Sequence, residues 1–209
     1  VHRIPGVAVW VSPSDGVKVR GLYARAMHMH SVTGAKKLKE VRRFFELYID
    51  DHSTSFVFTA QEASDLGVES NVIACYDRNG IAGAAHFTTP FEDAKELLEK
   101  GVPERHVVTF INRYRMLYNI AVREDLRDAG VGALLLETVE RGVRARGATE
   151  VIGIAEGDLA RLEKFYRQSG YEVLELGHPL ELTLAPRVGL TLPLHVSPQN
   201  MVRWFKKSL

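Results

Sequence analysis

Cysteine is nearly missing from this sequence. Cys75 is the only one among 209 residues, which excludes an internal disulfide framework and a cysteine-cluster metal site. It stands in the apolar run NVIACY, where a buried strand thiol is the expected state. Long apolar runs are missing too, since none approaches the roughly 20 residues that a membrane-spanning helix needs. The first residues, VHRIPGVAVW, show no charged segment leading into a long apolar one. No secretory signal is read there, and a cytoplasmic protein is expected. There is no internal repeat, low-complexity tract or Gly/Ser/Pro linker. A Gly-x-Ser-x-Gly elbow is also lacking, which removes one common nucleophilic arrangement.

What remains is an ordinary globular composition, 45% hydrophobic and 25% charged, in a length that suits one domain with a real core. Net charge is only +1, yet it is unevenly placed. Residues 1–47 hold nine Lys or Arg against three acids, and residues 50–104 hold three against eleven. Within the basic block, Leu38, Val41, Phe45 and Ile49 recur at helical spacing, so an amphipathic helix from about Lys36 is expected, with a basic solvent face.

Along the chain, strands are expected around Val7 to Ser12, at Val17 to Tyr23 and over TSFVFT. The stretch NVIACYDRNGIAGAAHFTT reads as a hairpin about Asp77-Arg78-Asn79-Gly80, with Asn-Gly supplying positive φ. FEDAKELLEK reads as a helix closed by Gly101 and Pro103. RYRMLYNIAV is a strand, residues 131–146 a helix ending at Gly147, and TEVIGIAE a buried strand. A helix follows from Asp158, a plausible N-cap, to about Ser169, then the strand YEVLEL. One or two strands are expected in LELTLAPRVGLTLPLHV and a short helix in PQNMVRWFKK. From residue 70 onward the alternation gives an α/β domain with a mixed sheet.

The segment RDAGVG lies between a strand and a helix. A helix N-terminus presents unpaired N–H groups and the positive end of the macrodipole, which attract anions. Glycines let the backbone approach the anion closely, and Arg127 can grip phosphate oxygens. The segment therefore reads as a phosphate cradle. The P-loop pattern fails, because Gly132 is followed by Ala133-Leu134 rather than Lys-Ser/Thr. The dinucleotide fingerprint is nearer, with Glu156 ending the next strand, but Leu135 stands where its third glycine belongs.

A third pattern fits better. NIAVREDLRDAGVGALLLETVE resembles the coenzyme A signature of the GNAT superfamily of N-acetyltransferases, Arg/Gln-x-x-Gly-x-Gly/Ala, in which Arg127, Gly130 and Gly132 fill all the defining positions. The family's next motif, a tyrosine followed by Gly-Phe or Gly-Tyr, is matched by Tyr166, Gly170 and Tyr171. The resemblance covers roughly residues 110–176. Two departures are Glu124, where many members have proline, and Asp158 or Leu159, where many have asparagine.

The resemblance implies a mixed, mostly antiparallel sheet with a splayed central strand pair, flanked by helices. It implies one domain over 1–209, with 1–69 an elaborated basic N-terminal region and 70–176 the acyl-CoA-binding core. It further implies an N-acyltransferase using acetyl-CoA as cosubstrate. The backbone of Ile120, Ala121 and Val122 would hold the pantetheine arm. Arg127 and the N–H groups of Asp128, Ala129, Gly130, Val131, Gly132 and Ala133 would hold the pyrophosphate. Tyr166 is the expected acid for the departing thiolate, since a phenol with pKa near 10 can donate to a thiolate. The base is left open: Tyr118 stands where members often carry a glutamate, and His86 and Glu156 are alternatives.

The acceptor is expected to be an amine. An alternative is a nucleic-acid-modifying relative, its phosphate contacts supplied by the Lys36 to Arg43 cluster, Arg203, Lys206 and Lys207, with Trp204 as a stacking ring. A third is a non-catalytic acyl-CoA sensor. His28 and His30 would share one strand face, but no third metal ligand is apparent, and no metal is expected.

Overall fold

The structure is a computed structural model that describes residues 27–49, 69–185, 189–195 and 202–209. The expected strands at Val7 to Ser12, Val17 to Tyr23 and TSFVFT lie outside the described residues. Strand β1 (His28–Ser31) leads into helix α1 (Ala35–Tyr48), and β2 (Ser70–Asp77) and β3 (Gly80–Thr88) form the expected hairpin. Its turn is held by the Asn79 N–H, which donates to Asp77 Oδ1 at 2.8 Å, and the positive φ falls on Gly80 at 109°. Helices α2 (Phe91–Glu99) and α3 (Glu104–Arg113) then precede β4 (Tyr114–Val122). A 3-10 turn (Glu124–Leu126) opens onto α4 (Val131–Ala145), β5 (Glu150–Ala155), α5 (Leu159–Gln168) and β6 (Glu172–Val173). Strands β7 (Leu180–Ala185), β8 (Leu190–Leu194) and β9 (Arg203–Ser208) complete the chain.

Seven strands form one sheet in the order β1-β2-β3-β4-β5-β9-β6, and β7-β8 form a separate pair. Every neighbouring pair is antiparallel except β4-β5. That parallel pair needs a crossover, which α4 supplies. β2 and β3 are buried along most of their length, as strands covered on both faces must be.

Two expectations need correcting. The segment Arg203–Ser208 is not part of a short helix over PQNMVRWFKK but strand β9, inserted between β5 and β6. Its local pattern is ambiguous over so few residues. Pairing with β5 along Glu150 to Ala155 decides the outcome, so a non-local partner overrides local pattern. Helix α3 goes unanticipated because the strand Tyr114–Val122 follows it with no turn residue between, although Val107 and Phe110 mark its buried side. The strand expected over YEVLEL shortens to Glu172–Val173.

The core divides by sheet face. On one face, Leu135, Leu136 and Val139 of α4 and Tyr166 of α5 pack on Cys75, Phe87, Leu117, Val151 and Phe205. Burial pushes the Cys75 thiol up to about 11, so it stays a neutral apolar filler. On the other face, α1 packs Leu38, Val41 and Phe45 on Ala74, Ala84 and Ala121. Beside it, α2, α3 and the β7-β8 pair cover Met116, Ile152 and Trp204.

Candidate active site

Beyond β4 the chain tightens into the 3-10 turn and then a loop of unusual backbone. Asp128 has φ 64°, the one positive φ outside glycine among the described residues, and Gly130 follows at φ 86° as N-cap of α4. The left-handed cap fits glycine, which pays no Cβ penalty there. The Ala129 N–H donates to Leu126 O at 3.3 Å, and Leu134 N–H starts the helical ladder on Gly130 O at 3.1 Å. Between them, the N–H groups of Gly130, Val131, Gly132 and Ala133 meet no acceptor among the described residues. They form a cluster of free donors at the positive end of a fifteen-residue helix. Among the described residues Arg127 beside them has only a loose ion pair, to Glu124 at 3.8 Å.

Gly132 serves packing as well. A Cβ there would lie 2.9 Å from the Phe165 ring of α5, so the glycine brings that helix down onto the start of α4. Asp158, one departure from the family pattern, caps α5 by accepting the Arg161 N–H at 3.2 Å.

The middle of β4 is interrupted on both sides at one residue. Toward β3 the pairing steps from His86↔Asn119 to Phe87↔Leu117, leaving Tyr118 as the extra residue of a β-bulge. Toward β5 the parallel ladder stops at Leu117↔Gly153. Both strands run on, β4 to Val122 and β5 to Ala155, without pairing with each other. The two strands therefore splay. Side-chain phase confirms the bulge: Tyr114 and Met116 pack on the α2/α3 face before it, and Ala121 packs on that same side, under α1, after it.

Ladder parity fixes which backbone groups the splay exposes. Arg123 N–H donates to Ala82 O at 2.9 Å, so Ala121 and Asn119 also bond toward β3. Ile120 and Val122 then turn their N–H and C=O groups into the gap. Of the three residues whose backbone the resemblance assigns to the coenzyme arm, Ile120 and Val122 hold open backbone positions, whereas the backbone of Ala121 is paired with β3.

The candidate catalytic side chains fall on different sides. Tyr166 is buried on the α4/α5 face, stacked on Phe205 at 3.9 Å between ring centroids. Phe205 in turn fills the space over Gly153, where a Cβ would lie 2.2 Å from its ring. Tyr166 thus sits above the point where β4 and β5 part. Burial raises its phenol pKa, keeping it protonated.

Tyr118 and His86 share the opposite face, with ring centroids 5.9 Å apart. His86 is fully buried, meets Ser70 Oγ at 3.0 Å through Nε2, and leaves Nδ1 without a partner. Burial pulls its pKa down to about 4, so it is neutral at physiological pH. Glu156 stands exposed just past the end of β5. It is not gathered with the others.

One group near the bulge escaped sequence reasoning. The Tyr118 phenol pKa is pushed up by burial and then by the carboxylates of Asp93 and Glu92 at the start of α2. Burial, with the nearby charges of Glu96 and Glu92, raises the Asp93 carboxyl itself to about 6. Only its three-dimensional surroundings single it out from the other acids of FEDAKELLEK.

The C-terminal groups expected to meet nucleic acid are committed elsewhere. Trp204 is 2% exposed and cannot act as a stacking ring. Arg203 pairs with Glu163, Lys206 with Glu172, and Lys207 with Glu140 at 2.7 Å. His28 and His30 do share a face, with rings 6.4 Å apart. No cluster of metal-ligating residues occurs among the described residues. No helix of the described residues is long and apolar enough to cross a membrane.

The sequence profile of the Acetyltransferase (GNAT) family matches residues 38–171, well over half of the chain. No curated protein matches the sequence. Among solved structures, an acetyltransferase of Streptococcus agalactiae 2603 is 12% identical over 88% of this chain and 99% of its own, with TM-score 0.54. A GNAT family acetyltransferase of Elizabethkingia anophelis, solved with acetyl-CoA bound, is 11% identical over 88% and 99%, with TM-score 0.53. A Bacillus subtilis acetyltransferase in complex with CoA is 12% identical over 88% and 99%, with TM-score 0.52. At such identities these structures speak to the fold alone. The chain belongs to the GNAT family of acetyltransferases.

Proposed function

We propose that this protein is an N-acyltransferase that takes acetyl from acetyl-CoA and delivers it to an amino group by direct attack on the thioester. The observation that carries this reading is the interruption at Tyr118. At one residue the β3-β4 register shifts and the β4-β5 ladder stops, which opens the β5 side of the β4 backbone beside the free N–H cluster of α4. The fit to the coenzyme is chemical: a cluster of unpaired N–H donors at a helix N-terminus suits a pyrophosphate. When bound, the thioester supplies an activated acetyl carbonyl.

The chain's own groups do the rest. Gly130 to Ala133 offer their N–H groups to the pyrophosphate, with Arg127 alongside. Ile120 and Val122 offer free backbone groups to the amides of the pantetheine arm. Tyr166, buried and kept protonated, would give a hydrogen bond or a proton to the leaving sulfur.

The test is calorimetric titration with acetyl-CoA, together with thiol release over a panel of amines. Micromolar binding with turnover on an amine supports the reading. No binding would discard it, and binding without turnover on any amine would favour the sensor. A second reading, a nucleic-acid acceptor, is favoured by one observation. Lys36, Lys37, Lys39 and Arg43 of α1 are exposed and have no ion-pair partner among the described residues. Several of them line a groove of about 520 Å³ with Phe44, Leu47 and Tyr48.

A further inference from the structure

The gap between β4 and β5 ends at a wall. Its last rung is Leu117↔Gly153, and beyond that rung both strands run on without pairing with each other. On the face that carries α4 and α5, β5 presents Val151, Gly153 and Ala155 in turn. Gly153 has no side chain to offer, and the ring of Phe205, its cross-strand partner on β9, takes the place of one. A Cβ on Gly153 would lie 2.2 Å from Phe205 Cζ and 2.9 Å from Leu117 O. The tip of the ring therefore reaches across β5 to the rung at which the gap closes.

That ring is held. Phe205 is fully buried, stacked on Tyr166 at 3.9 Å with the planes 17° apart, and it meets Tyr171 edge-on at 5.6 Å. Tyr166 and Tyr171 are buried as well and contact each other at 5.7 Å. Rings packed in this way do not make room for a larger neighbour without strain. On the opposite face the rung is open, since Tyr118 and Ile154, the residues just past it, are 38% and 39% exposed.

Resting on the acyltransferase reading above, we infer that Phe205 sets the size of the acyl group, its ring closing the end of the gap so that the methyl of an acetyl group fits while butyryl and longer chains do not. The backbone of Ile120 and Val122 can receive an extended arm only as far as Leu117, because from there the β4-β5 ladder occupies the edge. What the arm carries at its tip must therefore be accommodated at the rung. On one side stands Phe205. The other side is the opening past Tyr118 and Ile154, through which an acceptor has to enter. A longer chain either presses on the held ring or turns into that opening and obstructs its own acceptor. The wall comes from the last strand of the chain, far in sequence from the cradle, so acyl size can change without any change in the coenzyme loop.

The experiment uses the full chain with acetyl-CoA and butyryl-CoA. Affinity is read by calorimetry, and turnover by thiol release with the best acceptor from a panel of amines. Wild type is expected to favour acetyl-CoA over butyryl-CoA by about 100-fold or more in kcat/KM. Phe205→Leu removes the tip of the ring and keeps an apolar side chain. Relative to acetyl-CoA, it should bind butyryl-CoA about 10-fold more tightly than wild type does, as two methylenes fill the vacated space. Butyryl-CoA should then raise the melting temperature of this variant more than acetyl-CoA does. Phe205→Met, whose flexible chain can fill the core and still move aside, should shift the affinity ratio in the same direction and serves if the leucine variant does not fold. Tyr171→Phe disturbs the same cluster but keeps every ring, so its ratio should equal that of wild type. Equal use of both thioesters by wild type overturns the inference. So does an affinity ratio left unchanged by the Phe205 substitutions, or one shifted as far by Tyr171→Phe. Wild type that binds no acetyl-CoA, or releases no thiol with any amine, instead fails the function on which the inference rests.

Discussion

On one face of the central sheet, what a coenzyme would touch comes from one run of chain, Ile120 to Ala133. On the other, the groups around Tyr118 come from β3, α2, β4 and β5, brought together only by folding. The first region is built by local rules, a strand end, a left-handed cap and a helix start, and it reads directly from the sequence. The second depends on a bulge, an insertion and a register. A binding loop for a common cofactor can be a cassette. An acceptor site must be assembled, so it is where members of one fold can differ most.

The largest expected effect tests whether the cradle face also does chemistry. Tyr166→Phe deletes one hydroxyl and keeps the ring on Phe205. If the hydroxyl serves the leaving sulfur, kcat should fall by about 10² to 10⁴ with KM for acetyl-CoA unchanged. Steady-state kinetics beside a melting curve decide it. Full activity would leave solvent to protonate the sulfur.

The next effect isolates binding on that face. Ala133 is exposed in the first turn of α4, so Ala133→Glu places a carboxylate among the free N–H groups. The acid is tolerated or mildly stabilising at a helix N-terminus, by about 0.3–1 kcal/mol. A pyrophosphate a few ångström away should be repelled by about 3 kcal/mol, or roughly 100-fold in affinity. Calorimetry with acetyl-CoA checks this. A bulky residue at Gly132 is the poorer probe. It lies under Phe165, and substitution there would disturb how α5 packs.

A third prediction concerns the acceptor face and pH. Between pH 6.5 and 4, an unfolded chain takes up a proton on His86 that the folded protein refuses. Lowering the pH through that window therefore costs stability, on the order of 3 kcal/mol in full. Asp93 acts in the opposite sense. The folded protein binds its proton near pH 6 and an unfolded aspartate near 3.8, so the same acidification stabilises, by roughly 1–2 kcal/mol after solvent screening. The two offset one another in wild type. Asp93→Asn should remove the compensation, so its melting temperature should fall more steeply than that of wild type from pH 6.5 to 4. Parallel curves would show that the two groups do not titrate as their burial dictates.

The smallest expected effect is on the α1 surface. Replacing Lys36, Lys37 and Lys39 by Ala should change stability by no more than about 0.5 kcal/mol, because these side chains are exposed and have no ion-pair partner among the described residues. If a nucleic acid is the acceptor, binding should weaken and its salt slope should flatten by about 0.9 per lost duplex contact. Filter binding of a mixed-sequence RNA and DNA duplex at low salt reads this. No binding by the parent protein would remove nucleic acid from consideration.

How much of this was legible differs between residues for physical reasons. The hairpin at Asp77–Gly80, the N-cap at Asp158 and the glycines at 130 and 132 advertise themselves, because each meets a local backbone requirement. The bulge at Tyr118 carries no such mark, since any residue can be the extra one where one ladder shifts register and the other stops. Arg203–Ser208 looked like part of a helix because its partner, β5, lies about fifty positions away and a short aromatic stretch tolerates either shape. Asp93 is one acid among several in an amphipathic helix. Only its burial beside Tyr118 distinguishes it.

The open half of β4 has one more consequence. A sheet edge ordinarily sits at the periphery, where unpaired donors and acceptors invite another chain to join. Here an edge has been created in the middle, between Ile120–Val122 and Ile154–Ala155, with covered neighbours on either side. Any slender, extended molecule whose amides repeat at nearly the spacing of a peptide can add there as a substitute strand. The helices on both faces keep a second folded protein from doing the same. A fold built this way selects its ligand by thinness as well as by charge.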